Sequence, residues 1–400
     1  MSRGVLVVNC GSSSIKYQLI DGDSEQALAK GLVERIGAQD ALVRHRGPLG
    51  DVESVGALAD HEAGLRAVLA AFDEAGPDLA DVGLAAIGHR VVHGGDKFSD
   101  PALVDDDVLA AIADLVPLAP LHNPANLEGI EVAMRVFPDV PQVAVFDTAF
   151  HQTLPAYAYT YAIDRDVARE LGIRRYGFHG TSHAFVSGEA ARLLERQPAD
   201  LSMVVLHLGN GASASAVQGG RCIDTSMGLT PLEGLVMGTR CGDIDPAVTF
   251  HLHRVAGMSW DDIDTLLNKR SGLLGLCGAN DLREVWAMAD AGDADAVNAL
   301  DTYAYRIRKY IGSYALALGA LDAVVFTAGV GENDDRMRAK VLEGLEGLGI
   351  ALDAERNADP RTLGPEISTE ESRVRVLVVP TNEELAIARD ALSLVTSPSV

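Results

Sequence analysis

The sequence has little of what would place it in several common classes of protein. Its 400 residues include only four cysteines, which are scattered and form no C-x-x-C pair, so neither a zinc site nor a disulfide framework is indicated. No apolar run approaches the roughly 18 residues needed to span a bilayer, and no credible signal-peptide cleavage region follows the N-terminus. These absences favour a reduced, cytoplasmic location.

Positive charge is also scarce. The formal net charge is −24, which argues against nucleic acid and anionic membranes as partners. Only six of the 33 basic residues are lysines. A bound anion would therefore need a local concentration of positive charge. Arginine, which binds carboxylates and phosphates bidentately, is the main cation available for it.

Strand-like apolar runs alternate with amphipathic helical patterns along a chain long enough for two domains. Helical patterns cover 105–116 and 302–318, and the polar stretch 353–373 is expected to be a surface connection. This alternation predicts an α/β protein whose ligands bind at the carboxyl edges of its sheets. The strands predicted before glycine-rich or polar turns are 5–8, 84–87, 143–146, 203–206, 323–326 and 374–379.

Two segments about half a chain apart share one plan. VLVVNCGSSSIKYQLIDGD (5–23) and MVVLHLGNGASASAVQGGRCID (203–224) each have an apolar strand, a Gly/Ser-rich turn and a return segment that ends in Ile-Asp. The repetition suggests a duplicated domain with one ligand between the copies. The alternative is two unrelated hairpins, because turns generally favour Gly and Ser.

The first of these turns has the composition of an anion-binding hairpin. Backbone N–H groups of a Gly/Ser turn form a nest, serine hydroxyls donate further hydrogen bonds, and Lys16 adds charge. Asn9 stands at the strand end, where it could hold a metal-bound water. No lysine follows a glycine, so the turn is not a P-loop.

Further polar groups follow other predicted strands. Arg90 in GHRVVHGGDKF could clamp a carboxylate or phosphate, and Asp147, YGFHGTSH (176–183) and Arg240 could surround a phosphoryl group. Glu383 in PTNEE offers a carboxylate for Mg²⁺. The turn TAGVGEN (327–333) lacks the third glycine of a dinucleotide fingerprint but suits a close nucleotide approach. Each motif alone also fits an ordinary surface turn.

Together these motifs resemble one known family. NCGSSSIKYQL, GHRVVHGG, FDTAFH, YGFHGTSH, HLGNGAS, GTRCGDIDP, GVGEN and TNEELAIARD occur in the order found in the acetate/propionate kinase family, from residue 5 to about 390. The resemblance implies two duplicated actin/hexokinase/Hsp70-like (RNase H-like) α/β domains with a nucleotide cleft between them. The expected domains are 1–150 with 384–400, and 151–383, the latter carrying most of the nucleotide site.

The resemblance also implies an activity and its ligands. The expected reaction is reversible, Mg²⁺-dependent transfer of the ATP γ-phosphoryl group to acetate, giving acetyl phosphate and ADP by direct in-line transfer. Mn²⁺ is the expected substitute metal, and a cytoplasmic homodimer without nucleic-acid or membrane partners is the expected state. The alternative within the family is a propionate or butyrate kinase.

Matched position by position, the resemblance assigns the site residues to five groups. The catalytic group is Asp147, Arg90, His179 and Arg240, with His179 and Arg240 stabilising the transferring phosphoryl. The acid-binding group is Arg90, for the carboxylate, with Val92, Leu121, Phe178 and Pro231 for the methyl group. The metal positions are Asn9 and Glu383. The phosphate-contacting hairpin is Ser12, Ser14 and Lys16. The other nucleotide contacts are His207, Leu208, Gly209, Asn210, Gly211, Asp281, Leu282, Arg283, Gly329, Val330, Gly331, Glu332 and Asn333.

One position departs from the family pattern. Cys10 stands where the family usually has alanine or serine, and a cysteine beside the phosphate hairpin could be oxidised or alkylated. The role of Asp147, as a base or as a group that orients Mg²⁺ or its waters, also stays open at this stage. An ionised carboxylate substrate requires no general base, which favours the second role.

Two other classes of protein compete with this interpretation. An actin- or chaperone-like ATP-binding module would use ATP for conformational change, but it has no use for an apolar pocket beside an arginine. A sugar kinase of the same broad fold would need several polar groups for hydroxyls, and the matched pocket is nearly all apolar.

Overall fold

The computed structural model describes residues 3–396, which divide into two compact units. Unit 1 comprises the described residues of Met1–Gln152 and Asn382–Val400, and unit 2 comprises Thr153–Thr381. Unit 1 contains strands β1 Gly4–Gly11, β2 Ser14–Asp21, β3 Ala27–Glu34, β4 Ala41–Gly47, β5 Gly50–Gly56, β6 Leu84–Val91, β7 Ala102–Leu103 and β8 Gln142–Phe146. Unit 2 contains β9 Ser202–Leu208, β10 Ala212–Gln218, β11 Arg221–Thr225, β12 Ala323–Thr327 and β13 Arg375–Val378.

Helices connect and cover these strands. In chain order they are α1 His61–Ala75, α2 Leu79–Val82, α3 Asp106–Asp114, α4 Asn123–Val136, α5 Ala156–Tyr159, α6 Arg165–Glu170, α7 Gly180–Leu193, α8 Ala247–Ala256, α9 Trp260–Lys269, α10 Gly272–Cys277, α11 Leu282–Asp290, α12 Ala294–Leu318, α13 Ala328–Asn333, α14 Asp335–Leu342, α15 Ala354–Ala358, α16 Pro360–Leu363 and α17 Glu383–Thr396. Short 3₁₀ turns lie at Val116–Leu118, Ala149–Thr153, Pro198–Asp200 and Glu346–Leu348. None of the helices described between residues 3 and 396 is both long and apolar enough to cross a membrane.

The two sheets repeat one topology. In unit 1 the order is β5-β4-β3-β2-β1-β6-β8-β7, with β1, β2 and β3 antiparallel and β6 and β8 parallel to β1. In unit 2 the order is β11-β10-β9-β12-β13, again with an antiparallel meander followed by two parallel strands. The predicted duplicated α/β fold is therefore confirmed. Each predicted hairpin forms the first two strands of its sheet in chain order, β1–β2 and β9–β10.

The strands are buried because helices cover them. In unit 1, α4 and α17 pack on β1 and β6, and α1 packs on β4. The central strand β1 is correspondingly apolar, and Val5, Leu6 and Val7 are at most 1% exposed. Such continuous apolar runs are typical of strands buried on both faces, which is why they are recognisable in the sequence.

The structure completes one prediction about packing and corrects another. The helical pattern at 302–318 falls within α12, and its apolar face belongs to the core, since Tyr303, Ile307 and Ile311 are buried. The stretch 353–373 is not a plain surface connection, because it contains α15 and α16 and buries Asn357 and Ile367. The polar composition of this stretch does not indicate burial. Asn357 can be buried because its side-chain and backbone oxygens accept hydrogen bonds from the buried Arg338.

Candidate functional site

In unit 1, polar residues meet at the carboxyl ends of three parallel strands. Asn9 lies near the end of β1, Arg90 near the end of β6, and Asp147 directly after β8. The last residues paired between β1 and β6 are Val8 and His89, so Asn9 and Arg90 each follow that pair by one residue. The carboxyl edge of parallel strands is where open α/β sheets bind ligands.

Arg90 and Asp147 form a buried ion pair. Arg90 Nε donates to both carboxylate oxygens, at 3.0 and 3.1 Å, and Nη2 donates to Oδ2 at 2.5 Å. The Asp147 side chain is 1% exposed and that of Arg90 is 23% exposed. Burial acts to lower the pKa of Arg90, but the charge and hydrogen bonds of Asp147 and the charges of Glu383 and Glu384 together outweigh it, and the pKa is raised. Within the described chain Nη1 has no hydrogen-bond acceptor, so one edge of the guanidinium is left for a second carboxylate.

Next to this pair lies the first turn of α17. Glu384 forms an ion pair with Lys16 at 2.5 Å, and Lys16 is the cross-strand neighbour of Asn9. Glu383 has no arginine or lysine in ion-pair contact among the described residues. Burial, and then the charges of Asp147 and Glu384, raise its pKa despite the nearby Arg90.

The side-chain oxygens of Asn9 and Glu383 suit a hard divalent cation that is also coordinated by the phosphates of a bound substrate. Mg²⁺ prefers one or two protein oxygens together with waters and substrate phosphates. A partly buried carboxylate whose ionised form is disfavoured, close to further carboxylates, is stabilised by such a cation. In the described chain no cluster of three or more His, Cys, Asp or Glu side chains forms a complete protein site. Asn9 and Glu383 therefore fit a metal that also uses phosphate ligands.

The hairpin turn itself is exposed, and Cys10 faces away from solvent. Ser12 is exposed and Ser14 is half-buried at the start of β2. Cys10 is buried against α4, where a Cβ on Gly129 would lie 2.4 Å from its Sγ. Burial and then Glu128 raise the pKa of Cys10 to about 12, so the thiolate that reacts with oxidants is rare. The structure thus argues against the expected reactivity of Cys10.

The two predicted apolar contacts of unit 1 differ in exposure. Val92 directly follows β6 and is 7% exposed, and its N–H donates to Asn126 Oδ1 at 3.0 Å. Leu121 lies just before α4 and is 58% exposed. The Val92 side chain is therefore packed within the protein, whereas that of Leu121 is largely exposed.

In unit 2, histidines and serines form a connected polar cluster. His179 caps α7 with a left-handed backbone (φ 58°), an uncommon conformation for a residue other than glycine. Its Nδ1 lies 2.9 Å from Ser213 Oγ, and its ring stacks on His207 with centroids 4.2 Å apart. His207 Nδ1 lies 2.8 Å from Ser182 Oγ. The two imidazoles are thereby fixed in position at the end of β9.

Arg240 lies beside this cluster without a carboxylate partner. A Cβ on Gly211 would be 3.6 Å from both Arg240 Nη1 and His179 Nε2, so the glycine turn, the guanidinium and the imidazole adjoin. Nη1 donates to the carbonyl of Pro231 at 3.1 Å, and no carboxylate in the described chain pairs with the guanidinium. Burial alone lowers the pKa of Arg240. A partly buried arginine without a counter-ion is suited to bind an anionic ligand.

The loop that carries Pro231 and Arg240 is braced by an ion pair. Arg175 Nη2 donates to Glu233 Oε1 at 2.5 Å, and Nη1 donates to three successive carbonyls, those of Thr225, Ser226 and Met227. The hydroxyl of Tyr161 also donates to Glu233. One end and the middle of the loop are thus tied to the same guanidinium, and Glu233 in the middle lies seven residues before Arg240.

A cavity of about 720 Å³ lies in unit 2 beside the glycine turn. Its size is in the range of small-molecule sites. Eight of the residues expected to contact a nucleotide line it: Gly209, Asn210, Asp281, Leu282, Arg283, Gly329, Val330 and Asn333. The structure thus brings together three segments, of which the first and the last are more than 100 residues apart in the sequence.

The other nucleotide candidates of unit 2 lie outside the cavity lining. His207 and Leu208 belong to β9, where the Leu208 side chain is fully buried, and Gly211 instead adjoins Arg240. Gly331 is buried in α13. Glu332 Oε1 accepts the N–H groups of Ala328 and Thr381, so its carboxylate supports the turn.

Sequence reasoning missed several cavity residues. Asn280, Trp286, Tyr303 and Asp334 also line the cavity, and Trp286 Nε1 donates to Asp334 Oδ2 at 2.9 Å. Trp286 follows Leu282 by four residues on α11, so helical spacing could have placed both on one face. The two predicted contacts for the methyl group in unit 2 differ in exposure: Phe178 is 2% exposed, and Pro231 is half-buried.

The repeated strand order and the polar strand ends define a duplicated α/β fold of the actin- and hexokinase-like type. The chain belongs to the acetokinase family, whose model matches residues 4–389.

The chain is similar to named relatives and to solved structures over nearly its whole length. The chain is 61% identical over 393 residues to a protein of Leifsonia xyli subsp. xyli named acetate kinase, covering 98% of this chain and 99% of the relative. It is similar to the crystal structure of Porphyromonas gingivalis acetate kinase, with a TM-score of 0.94, 42% identity and coverage of 98% and 100%. It is also similar to a propionate kinase structure from Francisella tularensis, with a TM-score of 0.92, 42% identity and coverage of 98% and 99%.

Proposed function

We propose that this protein is an ATP:acetate phosphotransferase, which converts ATP and acetate reversibly into ADP and acetyl phosphate by direct in-line transfer. The observation that carries the proposal is Arg240, a partly buried guanidinium without a counter-ion, next to a glycine turn that lines a cavity of about 720 Å³. The relatives named acetate kinase support it.

The nucleophile in this reaction is already ionised at neutral pH. An alkyl carboxylic acid has a pKa of about 4.3, by analogy with the Glu side chain, so no general base is required. Both oxygens of Asp147 accept hydrogen bonds from Arg90. In the proposed mechanism Asp147 is therefore a positioning residue that orients Arg90, while the Nη1 edge of Arg90 holds the acetate carboxylate.

An Asp147→Asn variant tests this role. The amide keeps the shape of the carboxylate but loses its charge, so we expect a higher acetate KM and an unchanged pH dependence of kcat/KM. Loss of the acidic limb of the pH profile would instead indicate a general base, and the positioning role would be wrong.

The remaining requirement is cancellation of charge, because an anion attacks a polyanion. The transition state is loose and spreads charge over the equatorial oxygens of the phosphoryl group. Arg240 and His179 are assigned to that group, and Asn9 and Glu383 to Mg²⁺ or Mn²⁺. When bound, the metal supplies charge neutralisation and orientation of the phosphates. Ser12, Ser14, Lys16 and the residues of the cavity are assigned to ATP or ADP.

Acid specificity is proposed to favour acetate. Val92 is 7% exposed and lies two residues after Arg90, and we assign it to the wall that limits the methyl pocket. One methylene in an apolar pocket is worth only about 1–3 kcal/mol, so some propionate turnover is expected. A propionate kinase is the second candidate function, favoured by the similarity to a solved structure with that name.

An ATP-binding module without acid transfer is distinguished by a simple assay. ADP release with Mg²⁺ and ATP is measured with and without acetate. The proposal expects release that depends on acetate, since phosphoryl transfer must exclude water. Equal release in both conditions would favour an ATPase module.

A cytoplasmic homodimer is the proposed state of the protein. Phe250, Val255 and Trp260 are 52%, 71% and 52% exposed around α8 and the start of α9, and α8 buries none of its own residues. Such an apolar surface is typical of an interface with a partner. We expect light scattering to give the mass of two chains, and Phe250→Glu to give that of one chain. A monomeric wild type would contradict this.

A further inference from the structure

The hydroxyl of Tyr303 is a buried polar group without a partner. Tyr303 is 1% exposed and lines the cavity of unit 2. In the described chain its hydroxyl has no hydrogen-bond partner. Buried polar groups almost always have one, and an exception at a cavity wall is satisfied when a ligand or an ordered water occupies the cavity.

Tyr303 shares the cavity wall with residues of three helices that pack around α12. It belongs to α12, which packs against α10, α11 and α14. These helices contribute Leu273, Trp286 and Asp335 to the lining. The glycine turn at Gly209, by contrast, adjoins the cluster assigned to the phosphoryl group. Leu273 and Trp286 give the wall beside Tyr303 an apolar and aromatic surface that suits a nucleoside, whereas the glycine turn adjoins Arg240, which suits phosphates.

Neighbouring polar side chains are already engaged with the protein. Asp334 accepts from Trp286 Nε1 and from the N–H of Met337, at 2.9 and 2.8 Å. The Asn333 amide donates to the carbonyl of Gly329 and accepts from Arg361. These groups have less capacity left for a ligand than the tyrosine, whose hydroxyl can both donate and accept.

We propose that the Tyr303 hydroxyl hydrogen-bonds the nucleoside moiety, base or ribose, of the bound nucleotide. The inference rests on the proposed function, because it assumes that the cavity receives a nucleotide. It adds a binding residue that no sequence motif contains. The contact is a single neutral hydrogen bond, so its loss should weaken binding about three- to tenfold.

The test compares two tyrosine-to-phenylalanine variants on one helix. Tyr314 is also on α12, is 3% exposed and has a hydroxyl without a partner in the described chain, but it does not line the cavity. Calorimetric titration with ADP and with adenosine is expected to show about three- to tenfold weaker binding of both to Tyr303→Phe. Tyr314→Phe should bind both ligands like the wild type.

Thermal unfolding without ligand separates a binding role from a structural one. Each variant removes a buried hydroxyl that has no protein partner, so we expect neither to lower Tm. A lower Tm for Tyr303→Phe would show that the hydroxyl supports the fold, and the proposal would be wrong. Weaker binding of ADP but not of adenosine would also overturn it.

Failure of this proposal is distinguishable from failure of the proposed function. Unchanged ADP affinity in Tyr303→Phe, with normal ADP binding by the wild type, overturns the Tyr303 assignment alone. A wild type that binds no ADP overturns both the assignment and the use of a nucleotide.

Discussion

Removal of Arg240 and removal of Arg90 should have different effects on the stability of the protein. Arg240 has no carboxylate partner in the described chain, and burial lowers its pKa. Its removal therefore leaves no unpaired charge behind, and Arg240→Ala should unfold at the wild-type temperature or slightly above it. Its turnover should nevertheless fall by about 10³–10⁵, the range found for arginines that act on the transferring phosphoryl group.

Arg90→Ala should lose both activity and stability. It leaves Asp147, which is 1% exposed, without its counter-ion. Breaking a buried pair costs about 3–5 kcal/mol, and we take about 3 kcal/mol because Arg90 is itself partly exposed. In a unit of this size that corresponds to a fall in Tm of about 6–12 °C.

The assay for this contrast is calorimetry alongside initial rates of acyl phosphate formation. Arg90→Ala combined with Asp147→Ala removes both charges and should recover part of the lost Tm without recovering turnover. The reasoning is refuted if Arg240→Ala melts as early as Arg90→Ala, or if the single Arg90 variant keeps the wild-type Tm.

Three further predictions concern pH, the loop brace and the metal. The pKa of Asp390, ordinarily 3.8, is raised to about 6 by burial and then by Asp100, so its stabilising contribution is complete below about pH 4 and is lost as pH rises through 6. Asp390→Asn should thus add about 3 kcal/mol of stability at pH 8 and nothing at pH 4 in urea unfolding, and an equal gain at both pH values would exclude this cause. Glu233→Gln should lower kcat about 10²-fold through displacement of Arg240, with the ADP affinity unchanged in a titration; an unchanged kcat would show that the brace does not matter. Glu383→Gln should raise the Mg²⁺ concentration for half-maximal rate at least about tenfold, and an unaltered Mg²⁺ titration would contradict its assignment.

The fold can be predicted from the sequence because buried parallel strands are recognisable as continuous apolar runs. Their apolar runs end in glycine-rich or polar turns, so the positions of Asn9, Arg90 and Asp147 at strand ends are recognisable without coordinates. The two hairpins are equally visible, since each combines a Gly/Ser turn with flanking strands.

The pairing of these groups is not predictable in the same way. Arg90 and Asp147 meet only because β6 and β8 are neighbours in the sheet, which the chain order does not dictate. The helical pattern places Tyr303 on an apolar face, but its position on a cavity wall depends on how α12 packs against α11. The burial of Asn357 is not apparent from its polar stretch of sequence, because it depends on a hydrogen bond that Asn357 Oδ1 accepts from Arg338, 19 residues earlier.

The central claim is transfer of a phosphoryl group from ATP to a small carboxylate, with acetate preferred. The most direct measurement traps acyl phosphate as the hydroxamate, with ATP, Mg²⁺ and a concentration series of acetate, propionate or butyrate. The account predicts product from acetate with the highest kcat/KM, and less from propionate. A longer acid with the highest kcat/KM would contradict the argument from Val92, and no product from any acid, while ADP still binds, would contradict the proposed reaction itself.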